Sequence, residues 1–220
     1  MTHLDPDRDE HAAWYDHIVD DLEPELSKAT QAMLDAVDAG PDTKLLDLAC
    51  GPGHTTAAAT ALGACALGID SSPVMIEAAR RRFPGAAFEV RDMLEPPAGP
   101  WDAIVCRMGV HHTGPAWAAA AIDVLRPGGR IAIAELDDHG EHDHDNGMRR
   151  PEHWAGILAD AGFVDVTLTT RTLRLGMLAA RLPSCGHGDA HFRDGPIHIL
   201  AASKPLAKAE VGQGPEHRSV

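Results

Sequence analysis

The sequence is short of the features that mark several protein classes, and each shortage excludes something. No apolar run approaches the roughly 20 residues of a membrane helix. The polar opening MTHLDPDRDE has no secretory-leader profile, so a cytoplasmic protein without a membrane partner is expected. The four cysteines, Cys50, Cys65, Cys106 and Cys185, contain no CxxC pair, which argues against a disulfide framework or a four-cysteine zinc site. Basic charge is scarce: 19 Lys and Arg stand against 33 Asp and Glu, leaving a net −14. A phosphate backbone is bound through clustered Lys and Arg, so no nucleic-acid partner is expected and a small neutral or cationic molecule is. Aromatics are few, with one Tyr and four Phe, yet histidines number 14.

Among what is present, residues 45–56, LLDLACGPGHTT, organise the rest. Four of the first five are apolar, the exception being Asp47, as in a strand buried on both faces of a parallel sheet. Gly51-Pro52-Gly53 then turns the chain, and Thr55, Thr56 and the following alanines open a helix. A strand, a glycine turn and a helix N-terminus direct free N–H groups into one crevice suited to a polar ligand.

The 220 residues, 44% hydrophobic, suffice for one domain with a full core. Before the first strand, apolar spacing over residues 11–39 predicts two helices separated at Pro24. After it, strands are expected at 64–69, 87–90, 101–108, 130–136, 164–175 and 196–204. Helices are expected at 73–82, 116–125 and 151–161, with a turn at 126–129. The layout is N-terminal helices over the site (1–40), a core domain (41–205) and a tail (206–220). Alternating strands and helices specify an α/β protein: a Rossmann-like seven-stranded, mostly parallel sheet, helices on both faces, with a final antiparallel strand. Ligands of such sheets lie beyond the carboxyl ends of the parallel strands. Asp70, at the end of the second strand, can there accept hydrogen bonds from ribose hydroxyls; its competing reading is a helix cap.

LLDLACGPGHTT, GIDSSPVM (68–75), RDMLEPP (91–97), WDAIVCRMGVHH (101–112) and LRPGGRIAIAE (125–135) occur in one order and spacing. In this the chain resembles the class I S-adenosylmethionine-dependent methyltransferases. The resemblance implies S-adenosylmethionine as cofactor. It implies Ala49, Gly51 and Gly53 under the methionine part, Asp70 on the ribose, and Ser71 and Met75 flanking the adenosine. Asp92 and Met93 would meet the adenine, Asp47 would orient the loop or the cofactor's amino group, and Arg107 would lie near the methionine end. The expected reaction is in-line methyl transfer to a small-molecule acceptor. The alternative is a cofactor-binding protein, a sensor or a catalyst of another reaction, on the same fold. A dinucleotide dehydrogenase is disfavoured by Thr56 in place of a third glycine. Nothing in the pattern specifies an oligomeric state.

Seven of the histidines fall in three segments, each following a parallel strand: His111 and His112; His139, His142 and His144; His187 and His191. All three segments should overhang the site. Three readings stand open. The loops are solvated surface; or one or two histidines, His112 first and then His111, act as a general base or as substrate hydrogen-bond partners; or His142, His144, Cys185, His187 and His191 hold a divalent metal, zinc or similar.

Overall fold

The computed structural model describes residues 6–136, 150–175 and 194–207, with side chains from residue 15 onward. Seven strands form one sheet: β1 (Lys44–Leu48), β2 (Cys65–Asp70), β3 (Ala87–Val90), β4 (Trp101–Arg107), β5 (Leu125–Leu136), β6 (Val164–Leu173) and β7 (Gly195–Ser203). Their order is β3-β2-β1-β4-β5-β7-β6. β7 pairs antiparallel with both β5 and β6, and every other pairing is parallel. The mostly parallel sheet expected from alternation is therefore present. The last strand inserts between its two predecessors and leaves β6 as an edge, with Leu168 50% exposed.

Side-chain alternation along the central strands builds two cores. On one face, Leu45, Ala103, Val105, Ala134 and Ile199 pack with α1 (Pro6–Ala36) through Ile18, Leu22, Leu26 and Met33. On the other, Leu46, Ile104, Cys106, Ile131 and Ile133 pack with Trp117 of α4 (Ala116–Val124) and Trp154 and Leu158 of α5 (Pro151–Asp160). α2 (His54–Ala61) and α3 (Pro73–Arg82) complete the α1 side. No helix among the described residues is long and apolar enough to cross a membrane.

Two expectations need correction. The N-terminal region is one helix of 31 residues that continues through Pro24. Proline there removes one hydrogen bond and costs about 3 kcal/mol. Four fully buried apolar side chains, Ile18, Leu22, Leu26 and Met33, lie on both sides of it, each contributing about 1.5–3 kcal/mol. Packing outweighs the local penalty, and Pro24 and Asp20, whose carbonyl loses its partner, both face solvent. The second correction concerns the turn expected at 126–129. It is a bulge within the longer β5: Trp101 pairs with Leu125 and Ala103 with Arg130, so the intervening residues loop out.

Candidate active site

The carboxyl ends of β1, β2 and β4 meet around the glycine turn. Ala49, Gly51 and Gly53 have φ of +50°, +52° and +92°, the left-handed region in which glycine is unstrained. A Cβ on Gly53 would lie 2.7 Å from the Phe88 ring and 2.9 Å from Ala79 Cβ, whereas one on Gly51 would meet nothing within 4 Å. Gly53 is therefore packed from below, and Gly51 opens onto empty space.

Asp70 ties the turn to the second strand. Its Oδ2 accepts from the Gly51 N–H at 2.9 Å and its Oδ1 from the Ser72 N–H at 2.9 Å. Ser71 is exposed beside it. Ser72 caps α3, its Oγ accepting from the Met75 N–H at 3.3 Å. The Asp70 carbonyl accepts from the Arg91 N–H, which brings the end of β3 alongside. Beyond it Asp92 Oδ1 accepts from the Leu94 N–H at 2.9 Å, and Met93 is buried.

Asp47 lies beneath the turn at 1% exposure. Its Oδ2 accepts from Thr56 Oγ1 at 2.6 Å, and its Oδ1 has no hydrogen-bond partner. Burial raises its pKa to about 7, against the opposing pull of the Thr56 hydroxyl and the Arg107 charge. Thr56, at the place of a third glycine, thus anchors α2 to β1.

Arg107 ends β4 with its side chain 8% exposed. It makes a two-pronged bond to Glu23 of α1, at 2.8 and 2.9 Å, and donates to Thr30 Oγ1 at 2.8 Å. Burial lowers its pKa, but Glu23 raises it further, so the guanidinium stays charged. His54 faces the same helix, with Nε2 3.1 Å from Asp20 Oδ1 and Nδ1 4.0 Å from Glu23 Oε2. Tyr15, buried against Arg107 and Glu23, has its pKa raised mainly by desolvation.

After β4, Val110–His112 form a short 3-10 turn. His111 Nδ1 lies 2.8 Å from Glu135 Oε2, and Glu135 Oε1 accepts from the Val110 N–H at 2.9 Å. Burial lowers the His111 pKa, but the Glu135 charge and hydrogen bond outweigh it and the net shift is upward. The His112 ring lies against it, tilted by 44° with centroids 3.9 Å apart, and is itself exposed.

Sequence reasoning missed Glu135, Glu23 and Thr30. Glu135 carried a signal: it is the lone acid in RIAIAEL, at the end of a strand, as Asp47 and Asp70 nearly end theirs. Glu23 carried none, because one acid among the many of an acidic helix has no distinguishing context. The metal candidates His142, His144, Cys185, His187 and His191 lie outside the described residues. Among the described residues, no group of three or more His, Cys, Asp or Glu is arranged to hold a metal ion.

A sheet of this order, with a glycine turn after its first strand and an acid ending its second, defines a Rossmann-like α/β protein whose ligands sit beyond the strand ends. Residues 45–129 match a methyltransferase domain family. The chain is 34% identical over 203 residues to a trans-aconitate 2-methyltransferase of Methylobacterium nodulans, covering 86% of this chain and 75% of that one. It is 36% identical over 110 residues to a demethylmenaquinone methyltransferase of Beutenbergia cavernae, covering 48% of this chain and 46% of that one. A further curated relative is spanned over only 33% of its length. Haemonchus contortus phosphoethanolamine N-methyltransferase 2, solved in complex with S-adenosyl-L-methionine, shares the fold at a TM-score of 0.64 and 18% identity, over 81% of this chain and 53% of that one. The chain belongs to the class I S-adenosylmethionine-dependent methyltransferases.

Proposed function

We propose that the protein transfers a methyl group from S-adenosylmethionine to a small-molecule acceptor. The observation that carries this is the open space over Gly51, beside the Asp70 carboxylate that holds the same turn. The residues fit the cofactor. Asp70 ends β2 beside that space, and a carboxylate accepts several donors, as two ribose hydroxyls require. Asp47, with a buried oxygen lacking a partner, would orient the loop or the cofactor's amino group. Ala49, Gly51 and Gly53 would underlie the methionine part. Ser71 and Met75 would flank the adenosine, and Asp92 and Met93 would meet the adenine. Arg107 would secure the methionine end together with α1.

When bound, the cofactor supplies an electrophilic methyl carbon, whose bond to sulfur breaks with its electron pair as the acceptor's pair bonds the carbon. The protein's part is to hold the acceptor in line and to exclude water. We assign the acid–base role to His111, with His112 packed beside it. The similar Methylobacterium protein is named for a small carboxylate acceptor, and a net charge of −14 also disfavours nucleic acid here.

The reading is tested by incubating the protein with methyl-labelled S-adenosylmethionine and a panel of small acceptors. Label should pass to an acceptor with equal release of S-adenosylhomocysteine. Tight binding with no release would overturn transfer and favour the sensor alternative.

A further inference from the structure

We infer that Glu135 is a positioning residue that fixes His111 as the proton acceptor, and that the methyl acceptor is protic: a hydroxyl, amine or thiol. This rests on the methyltransferase reading and deepens it.

Glu135 is 1% exposed near the end of β5. A carboxylate removed from water costs several kcal/mol unless its oxygens are hydrogen-bonded. Both are, and to consecutive residues: Oε1 to the Val110 N–H and Oε2 to His111 Nδ1. Holding the 3-10 turn in place needs only the first contact. The second orients one imidazole. A carboxylate accepting from Nδ1–H fixes the proton on that nitrogen and leaves Nε2 as the basic one. The His112 ring lies beside it, tilted by 44°, and His111 keeps 15% of its side-chain surface accessible. The turn also abuts the glycine loop, since a Cβ on Gly109 would come within 2.6 Å of Ala49 Cβ. The turn that carries His111 therefore borders the cofactor crevice.

Charge then selects the acceptor class. The ring faces Glu135 on β5 and His112, and Glu135 in turn neighbours His198, paired with it on β7, and buried Cys106 on β4. With His111 neutral, the dyad carries one negative charge. A carboxylate acceptor is already ionised and releases no proton on methylation, so it has no use for an oriented base. A protic acceptor loses its proton as it attacks: the X–H bond breaks, its electron pair stays on X, and the proton goes to Nε2 and then to solvent. The raised His111 pKa keeps that nitrogen a strong base.

Two measurements test this on the full chain. In the first, the histidine ring nitrogens of the cofactor-free protein are titrated by NMR, with His111→Gln to assign the signal. His111 should titrate above free imidazole with its neutral proton on Nδ1, and Glu135→Gln should lower the pKa and lose the tautomer preference. In the second, label transfer is followed against pH with a phenol, a primary amine, an alkyl thiol and trans-aconitate. A protic acceptor should be methylated, with turnover falling on the acid side. In Glu135→Gln that limb should move to lower pH and kcat should fall about 10–100-fold, while S-adenosylmethionine affinity is unchanged. Ordinary His111 titration in the native protein, an unmoved limb, or turnover of trans-aconitate alone would overturn the inference and leave the methyltransferase reading intact. Cofactor binding without transfer to any of the four would overturn both. If Glu135→Gln does not fold, the native titration and the acceptor profile still decide.

Discussion

Gly51 and Gly53 stand two positions apart in one turn and obey different constraints. Both have positive φ, which costs a residue with a Cβ about 1–2 kcal/mol. Gly53 adds a collision, because its Cβ would fall 2.7 Å from the Phe88 ring and 2.9 Å from Ala79 Cβ. Those groups sit in a packed core that cannot move away cheaply. Gly51 adds none. Gly51→Ala should therefore fold, with a melting temperature lowered by a few degrees, yet bind S-adenosylmethionine at least about tenfold more weakly, because the methyl enters the space where the ligand approaches. Gly53→Ala should lose cooperative unfolding or melt far lower. Calorimetry of both variants, with and without cofactor, checks the pair; equal loss of stability in the two would contradict the geometry. The sequence showed that this turn needs glycine, but the division of labour depends on Phe88 and Ala79, which lie 35 and 26 residues away in the chain.

At the scale of the element, α1 is the part that sequence reasoning described least well. Its apolar spacing was legible and its continuity was not, because proline's local penalty is visible in one dimension and the buried surface on either side of it is not. The helix is also joined to the site by charge. Glu23 holds Arg107 with two hydrogen bonds, while Asp16 and Asp20 receive Arg82, and Asp16 also receives Arg81, from α3. The Arg81 contact is largely exposed and contributes little, while Arg82 and Asp16 are each 18% exposed. The Arg107 pair differs because the guanidinium is 8% exposed, so removing its counter-charge leaves a buried cation. Glu23→Gln should lower unfolding free energy by about 3 kcal/mol and loosen α1 from β4. Protection of α1 amides in hydrogen exchange should fall before that of β1 and β4. Uniform loss across the sheet would mean that α1 is held by its apolar stripe alone.

For the whole molecule, the central strands were legible because each contains a short apolar run between turns, and their order was not, because β7 enters between β5 and β6 through tertiary pairing. What pairing does to buried charge is likewise invisible in sequence, and it sets how stability responds to pH. Burial holds the Asp47 pKa at about 7, against an ordinary 3.8. The folded state therefore binds the extra proton between those values, and stability falls as pH rises through that window. His111, also raised, acts in the same sense: its contribution is complete below the unfolded pKa and is lost as pH climbs through the folded one. Asp20, Glu25 and Asp102 are shifted downward by their cationic and backbone partners, so their contributions are complete above the ordinary carboxylate range and are lost only as pH falls below it. Stability should peak on the acid side of neutrality. Urea unfolding of the cofactor-free protein should give about 2 kcal/mol less at pH 8 than at pH 5.5 from Asp47 alone. Mutual repulsion among surplus acids falls in the same direction, so the variant decides. Asp47→Asn keeps an oxygen for Thr56 and removes the charge, and it should flatten most of that decline while weakening S-adenosylmethionine binding. A decline as steep in Asp47→Asn as in the native protein would assign it to surface charge instead.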